Sequence, residues 1–264
     1  MTYAGDGLRK IRAEFKMLNA RQVELVSSIV ALSFKSDRAK EFAMQGLGRR
    51  VGVMIRSIEN VFNAIPPELK TPPKREAALD ATIGLHSFLI NAFGAVENLA
   101  WAWVLETGLK KANGRDLSRR DIGLGKGCTL VRNSLPGELR TKIVEFDPWF
   151  EYLEDFRHAL AHRIPPYFPP SIIRSADIEK YRKIEHLISV NLREGNLAAY
   201  AETLARHRAL EKFSGILTHS HSEGVRPVFF HAQVLADFAT IEDLSKNFIE
   251  AFRNLSGTAA LKLD

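Results

Sequence analysis

Asp147-Pro148-Trp149-Phe150-Glu151-Tyr152-Leu153-Glu154-Asp155-Phe156-Arg157-His158-Ala159-Leu160-Ala161-His162-Arg163-Ile164-Pro165-Pro166-Tyr167 has both ends of a helix written into it. Asp147 and Pro148 suit the N-cap and the first helical position. Pro165-Pro166 stop the helix near Ile164. At about 100° per residue, Trp149, Phe150, Leu153, Phe156, Leu160, Ala161 and Ile164 form one apolar arc, and Arg157 sits inside it. A guanidinium on an apolar stripe needs a partner. The opposite side carries Glu151, Glu154, Asp155, His158 and His162. His162 falls in the last turn, where unsatisfied carbonyls favour a cation. Arg157 and His162 diverge by about 140° around the axis. A bent helix end, the reach of the Arg arm or a second copy of the helix is needed to aim both at one atom.

Working outward, apolar residues recur at three- and four-residue spacing almost throughout, with Pro and Gly between these runs, so the chain reads as all-α. Helices are expected over about 7–18, 20–34, 37–64, 74–112, 137–145, 147–163, 176–194, 197–216 and 240–255, with Asn196 and Thr240 as the caps of the last two. The stretch near 226–238 alternates enough for a short strand or hairpin, or an extended arm. Pro66-Pro67 and Pro72-Pro73 bracket a rigid linker. They divide the chain into a basic N-terminal helical extension, 1–75, and a helical bundle with C-terminal helices, 76–264.

A chain of 264 residues with 45% hydrophobic content supports a full globular core. Its single cysteine, Cys128, excludes an internal disulfide, and charged residues from Asp6 to Glu14 occupy the place of a signal peptide's apolar run. The expected compartment is the cytoplasm. Phe88–Leu105 is the most apolar segment, but Asn91, Glu97 and Asn98 interrupt it and favour a buried core helix over a membrane span. The net charge of +6 is concentrated toward the start, where residues 1–75 hold fourteen Lys/Arg against seven Asp/Glu. A second basic patch covers 110–142, with nine Lys/Arg against Asp116, Asp121 and Glu138. Such patches attract polyanions, although a solvated surface accounts for them equally well.

Two residue types in the quoted stretch suit phosphate chemistry. A guanidinium holds phosphate oxygens through paired donors, and an imidazole titrating near neutrality serves as base or acid. The plainer reading has Arg157 pairing with Glu97 across the bundle and His162 capping carbonyls. Asn91, Glu97 and Asn98 share a helix otherwise rich in Phe, Leu, Ala and Trp; they either frame a cleft and hold Arg157 or form a satisfied buried network. Tyr167 either stacks on a base or pins the exit loop. The stripe Glu151, Asp155, His158, His162 has metal-ligand spacing but lacks a second carboxylate–histidine copy, so no metal and no cofactor is expected. Gly123-Leu124-Gly125-Lys126-Gly127-Cys128-Thr129 lacks the Ser or Thr that a phosphate loop needs directly after Gly-Lys.

Arg157 followed by His158, three further positions and His162, the Pro-rich exit, and the upstream Asn91-Ala92-Phe93-Gly94-Ala95-Val96-Glu97-Asn98-Leu99-Ala100-Trp101-Ala102-Trp103 together resemble the HEPN (higher eukaryotes and prokaryotes nucleotide-binding) superfamily, in a bacterial branch with this motif. The similarity spans roughly residues 80–170. It implies a HEPN-like helical bundle, with the N-terminal helices as an addition, acting as a metal-independent endoribonuclease. Arg157 and His162 would be the catalytic pair, supported by His158, Asn91, Glu97, Asn98 and Tyr167. It further implies RNA as partner, a homodimer whose two motifs share one cleft, and an antitoxin-like protein partner. The alternative on the same fold is a non-catalytic module that binds RNA, nucleotide or protein.

Overall fold

The centre of the molecule is a 33-residue helix, α4 (Arg75–Thr107), whose apolar residues run around most of its circumference. A helix apolar around most of its circumference must be largely covered, and α4 is, apart from the exposed Leu79, Ile83 and Ile90. In the computed structural model, which describes residue 3 and residues 5–169, 171–220 and 227–260, the chain is an all-α bundle with one small antiparallel hairpin. Helix α1 (Gly5–Val30), the short α2 (Asp37–Glu41), a π-helical turn (Phe42–Leu47) and α3 (Gly48–Ala64) precede α4. After it come α5 (Thr129–Ser134), α6 (Gly137–Glu145), α7 (Asp147–His162), α8 (Ile178–Arg193), α9 (Leu197–Arg208), strands β1 (Ile216–Leu217) and β2 (Val228–Phe229), and α10 (Phe230–Ala260).

Helices α2, α3, α7 and α10 all pack on α4, while α1 lies against α3 and α10. One buried apolar cluster therefore contains Leu18 and Leu25 from α1, Phe88 and Trp103 from α4, Leu153 and Phe156 from α7, and Phe238 and Phe248 from α10. The Pro66–Pro73 segment joins helices that share this cluster. The apolar length of α4 is enough to cross a membrane, and 61% of its most apolar window is buried inside the bundle.

Several local expectations are corrected. Helix α1 is continuous across the break expected near residue 19, because Leu18, Leu25 and Ile29 keep one buried row through it. Within 226–238 only Val228 and Phe229 are strand, paired with Leu217 and Ile216; position 226 lies outside the described residues. Helix α10 begins at Phe230, so Thr240 is interior and its hydroxyl donates to the Ala236 carbonyl (3.0 Å). A buried apolar row of Phe230, Val234, Phe238 and Ile241 carries the helix through residues whose β-branched and aromatic character suggested a strand. Asn196 does cap α9, its side chain accepting from the Ala199 amide (3.1 Å).

Helix α7 is locked to α10 by Asp237, a fully buried carboxylate. Trp149 Nε1 donates to it at 2.9 Å, Gln233 Nε2 at 2.8 Å and the Tyr152 hydroxyl at 3.4 Å. Burial pushes the Asp237 carboxyl up to about 6, against the pull of these donors. The folded protein thus holds a proton that the unfolded chain has released near pH 5. That contribution is present below about pH 4 and is lost as pH rises through about 6. It amounts to about 2 kcal/mol between pH 4 and 7. Asp237→Asn should flatten the dependence of the urea midpoint on pH over this window. A wild-type and variant profile that run parallel would refute the assignment.

Candidate functional site

Phe93, Val96 and Glu97 of α4 face Phe150, Leu153, Glu154, Arg157 and His158 of α7 across a cleft of about 350 Å³, closed on the third side by the segment from Arg119 to Cys128. Each wall is held by identifiable contacts. Ser118 and Asp121 cap a 3-10 turn, Arg119–Asp121, reciprocally: the Ser118 amide and hydroxyl donate to the carboxylate at 2.9 and 2.8 Å. Lys111 lies 2.6 Å from the same carboxylate, and together these donors bring it down to about 2. The turn so fixed presents Arg119 and Arg120 at the cleft mouth, while Leu117, Ile122 and Leu124 are buried beneath.

Asp147 does not cap α7, whose N-cap position is Phe146 without a side-chain bond. Its carboxylate is instead taken by Arg132, which forms a mostly buried ion pair with it and donates through Nε to the Leu124 carbonyl at 2.8 Å. Arg132 lowers the Asp147 carboxyl below its ordinary value. One guanidinium therefore fastens the Arg119–Cys128 segment to the start of α7. At Gly123 a Cβ would come within 3.0 Å of Cys128 Sγ, so glycine is what lets the segment fold on itself. Burial pushes the Cys128 thiol up, which suits packing and not nucleophilic attack.

The far end of α7 is pinned as well. Asp155 pairs with Arg163 and accepts from the buried His219 Nε2 (3.1 Å). Burial alone would raise the Asp155 carboxyl, but these two partners hold it low. His86 on α4 donates to the Pro166 carbonyl at 2.7 Å. Tyr167 joins its backbone to Thr218 in an antiparallel bridge, which ties down the exit loop and keeps Tyr167 off the cleft lining.

The guanidinium of Arg157 stands 5.2 Å from the centroid of Phe93, a cation–π contact that lets a cation sit on the apolar arc. Among the described residues, Arg119, Arg120 and Arg157 have no carboxylate within ion-pair distance. Glu97 is coupled to Arg157 and Arg50 through space: burial raises its carboxyl and the two cations pull it back. Asn91 and Asn98 do not hold Arg157. They hold Arg50, whose Nε donates to Asn98 Oδ1 at 2.8 Å and whose Nη1 donates to Asn91 Oδ1 at 3.2 Å. Gly94 gives that guanidinium room to lie on α4, and Gly46 in the π-helical turn approaches Asn98 so closely that a Cβ would come 2.8 Å from Nδ2. Nothing in the sequence pairs Arg50 with positions more than forty residues away, so the network is legible only in three dimensions.

His158, not His162, shares the cleft with Arg157. His162 is exposed one turn further on, with its ring centroid 6.5 Å from that of His158. The divergence expected from helical geometry is present. Of the acidic–histidine stripe, Glu151 is paired with Lys126 (2.5 Å), Asp155 with Arg163 and His219, and His158 lies 3.9 Å from Glu154.

No family model, no curated protein and no solved structure matches the chain. The lining of the cleft combines three guanidinia without direct ion pairs, an imidazole and the carboxylates Glu97 and Glu154 over an apolar floor, a net positive cleft that suits an anion with a flat apolar part attached.

Proposed function

We propose that this chain is a HEPN-like, metal-independent endoribonuclease whose substrate phosphate sits in the cleft between α4, α7 and the Arg119–Cys128 segment. The observation that supports this reading is the convergence of Arg119, Arg120 and Arg157, none with a carboxylate partner among the described residues, beside His158. Guanidinia free of direct ion pairs in a preformed concavity offer paired donors to a phosphodiester, with Glu97 and Glu154 the two carboxylates of the lining that a phosphate has to avoid.

In the proposed reaction an imidazole takes the proton from a ribose 2′-hydroxyl, and the 2′ oxygen attacks the adjacent phosphorus. The bond to the 5′ oxygen breaks, and that oxygen receives a proton from a second acid. The products are a 2′,3′-cyclic phosphate and a 5′-hydroxyl. Arg157 steadies the charge growing on the non-bridging oxygens. His158, which lines the cleft, supplies the base, and the leaving 5′ oxygen has to emerge one helical turn along α7 to take its proton from the exposed His162. Their 6.5 Å ring separation is of the order needed to flank one phosphorus with two hydrogen bonds of about 2.8 Å.

The test is cleavage of single-stranded RNA with chelator present, followed by analysis of the product ends. Cyclic phosphate and 5′-hydroxyl ends are expected, with His158→Ala and His162→Ala each reducing the rate by about 10²-fold and leaving RNA affinity within about 2-fold. Binding without cleavage would replace the nuclease with an RNA-binding module of the same cleft. Absence of any RNA binding would overturn the assignment altogether.

A further inference from the structure

A second basic concavity lies at the root of the α8–α9 hairpin. Three separate stretches of chain meet there. Ile172 and Lys212 exchange both backbone hydrogen bonds, at 2.8 and 3.0 Å, and the Phe213 amide donates to the Lys70 carbonyl at 3.1 Å. This ladder sets Lys70, Arg174 and Lys212 around a cavity of about 720 Å³ in which Glu211 is the one acidic lining residue. Among the described residues none of the three cations has a carboxylate within ion-pair distance; Lys212 Nζ donates only to the Ala209 carbonyl (3.2 Å). Backbone bonds, not ion pairs, hold the three exposed cations around the cavity with Glu211 beside them, so the cavity carries a net positive charge that attracts an anion.

The hairpin that rises from this root packs on itself and on the short turn Ser175–Asp177. Ile184 is the buried apolar residue of α8. On the side of α8 opposite Ile184, Arg182, His186 and Arg193 fall within about 40° of one another, all exposed. Arg182 and Arg193 thus add two exposed cations along the outer face of α8, with Glu179 beside them at its start.

The chain itself connects the cleft to the root. The exit segment leaves α7 after His162, passes His86 at Pro166, and reaches Ile172 and Arg174. Along α4, Arg75 lies roughly 27 Å from Phe93 at about 1.5 Å per residue. A strand of RNA that runs from a scissile phosphate in the cleft to the N-terminal end of α4 covers that length in several nucleotides, and Lys70 of the root lies five residues before Arg75.

We infer that the root of the α8–α9 hairpin, with Lys70, Arg174 and Lys212, is a second RNA-backbone site that grips the substrate strand several nucleotides from the cleft and sets a minimum substrate length. This rests on the proposed function, and the test separates the two. The triple variant Lys70→Ala/Arg174→Ala/Lys212→Ala leaves the backbone ladder intact. Its affinity for an oligouridylate tetramer and a 20-mer is measured by fluorescence anisotropy from 50 to 200 mM salt, beside the cleft variant Arg119→Ala/Arg120→Ala, with circular dichroism to verify the fold.

At about 0.7 counterions released per single-strand phosphate contact, the triple variant should lower the salt slope for the 20-mer by about 2. It should weaken 20-mer binding at least 10-fold at 100 mM salt and leave the tetramer unchanged. The cleft variant should weaken both. An unchanged 20-mer slope in a folded triple variant, or equal losses for tetramer and 20-mer, overturns the second site while tetramer binding upholds the cleft. A wild-type protein that binds neither RNA overturns both readings.

Discussion

Arg132→Ala should cost about 3–5 kcal/mol of stability, because it strands a mostly buried carboxylate and frees a carbonyl at once. Asp147 has no other ion-pair partner among the described residues, and the Leu124 carbonyl loses the Nε donor. Chemical unfolding at pH 7 measures the loss. The pair adds a pH signature whose sign is fixed by the lowered Asp147 carboxyl. Its contribution is present above the unfolded-state value and is lost as pH falls through the folded one, so the wild-type advantage should shrink toward pH 2. Because Arg132 also ties the Arg119–Cys128 segment to α7, amide exchange in 119–128 should accelerate in the variant before the rest of the bundle opens. A stability change below 1 kcal/mol would show that water compensates the pair and that the segment is anchored elsewhere.

Arg157→Lys should reduce RNA cleavage by about 10²- to 10³-fold while the melting temperature moves by no more than a degree or two. The ammonium keeps the charge and can still sit near Phe93, but it lacks the planar pair of donors that follows two phosphate oxygens into the transition state. Affinity for uncleaved RNA should fall less than 5-fold. Full activity in the Lys variant would remove the phosphate-clamp role, and a collapse in melting temperature would recast Arg157 as a structural residue.

These two arginines show where sequence reading reaches and where it stops. Arg157 was legible because a cation on an apolar arc is anomalous on any helix, and its anomaly is resolved by the face of Phe93. The divergence of Arg157 and His162 followed from helical geometry alone, whereas the return of His158 to the cleft depends on where α4 packs. Arg132 was invisible. Its partners lie 8 and 15 residues away in a loop and at a helix start, and the same Asp147 that reads as an N-cap by type is recruited by a charge that propensity does not weigh. The helical class and most helix positions came from periodicity. The start of α10 did not, because Val228, Phe229 and Phe230 satisfy a strand pattern as well as a helical one, and the packing of the first turn decides between them, Phe230 against Phe168 and His231 against Phe62.

The pairing of α1 with α10 has a consequence for biosynthesis. Arg21 reaches Glu242 across 221 residues of chain, and His231 of α10 accepts from Tyr3 (3.4 Å) while donating to the Ile65 carbonyl (2.6 Å). At about 5–20 residues per second of translation, a newly made α1 waits roughly 10–45 s for the helix that covers it. Throughout that interval Leu18, Leu25 and Ile29 lack the α10 side of the cluster that buries them. The bundle can close only after α10 clears the ribosome, so the face of α1 that meets α10 stays open to solvent until then.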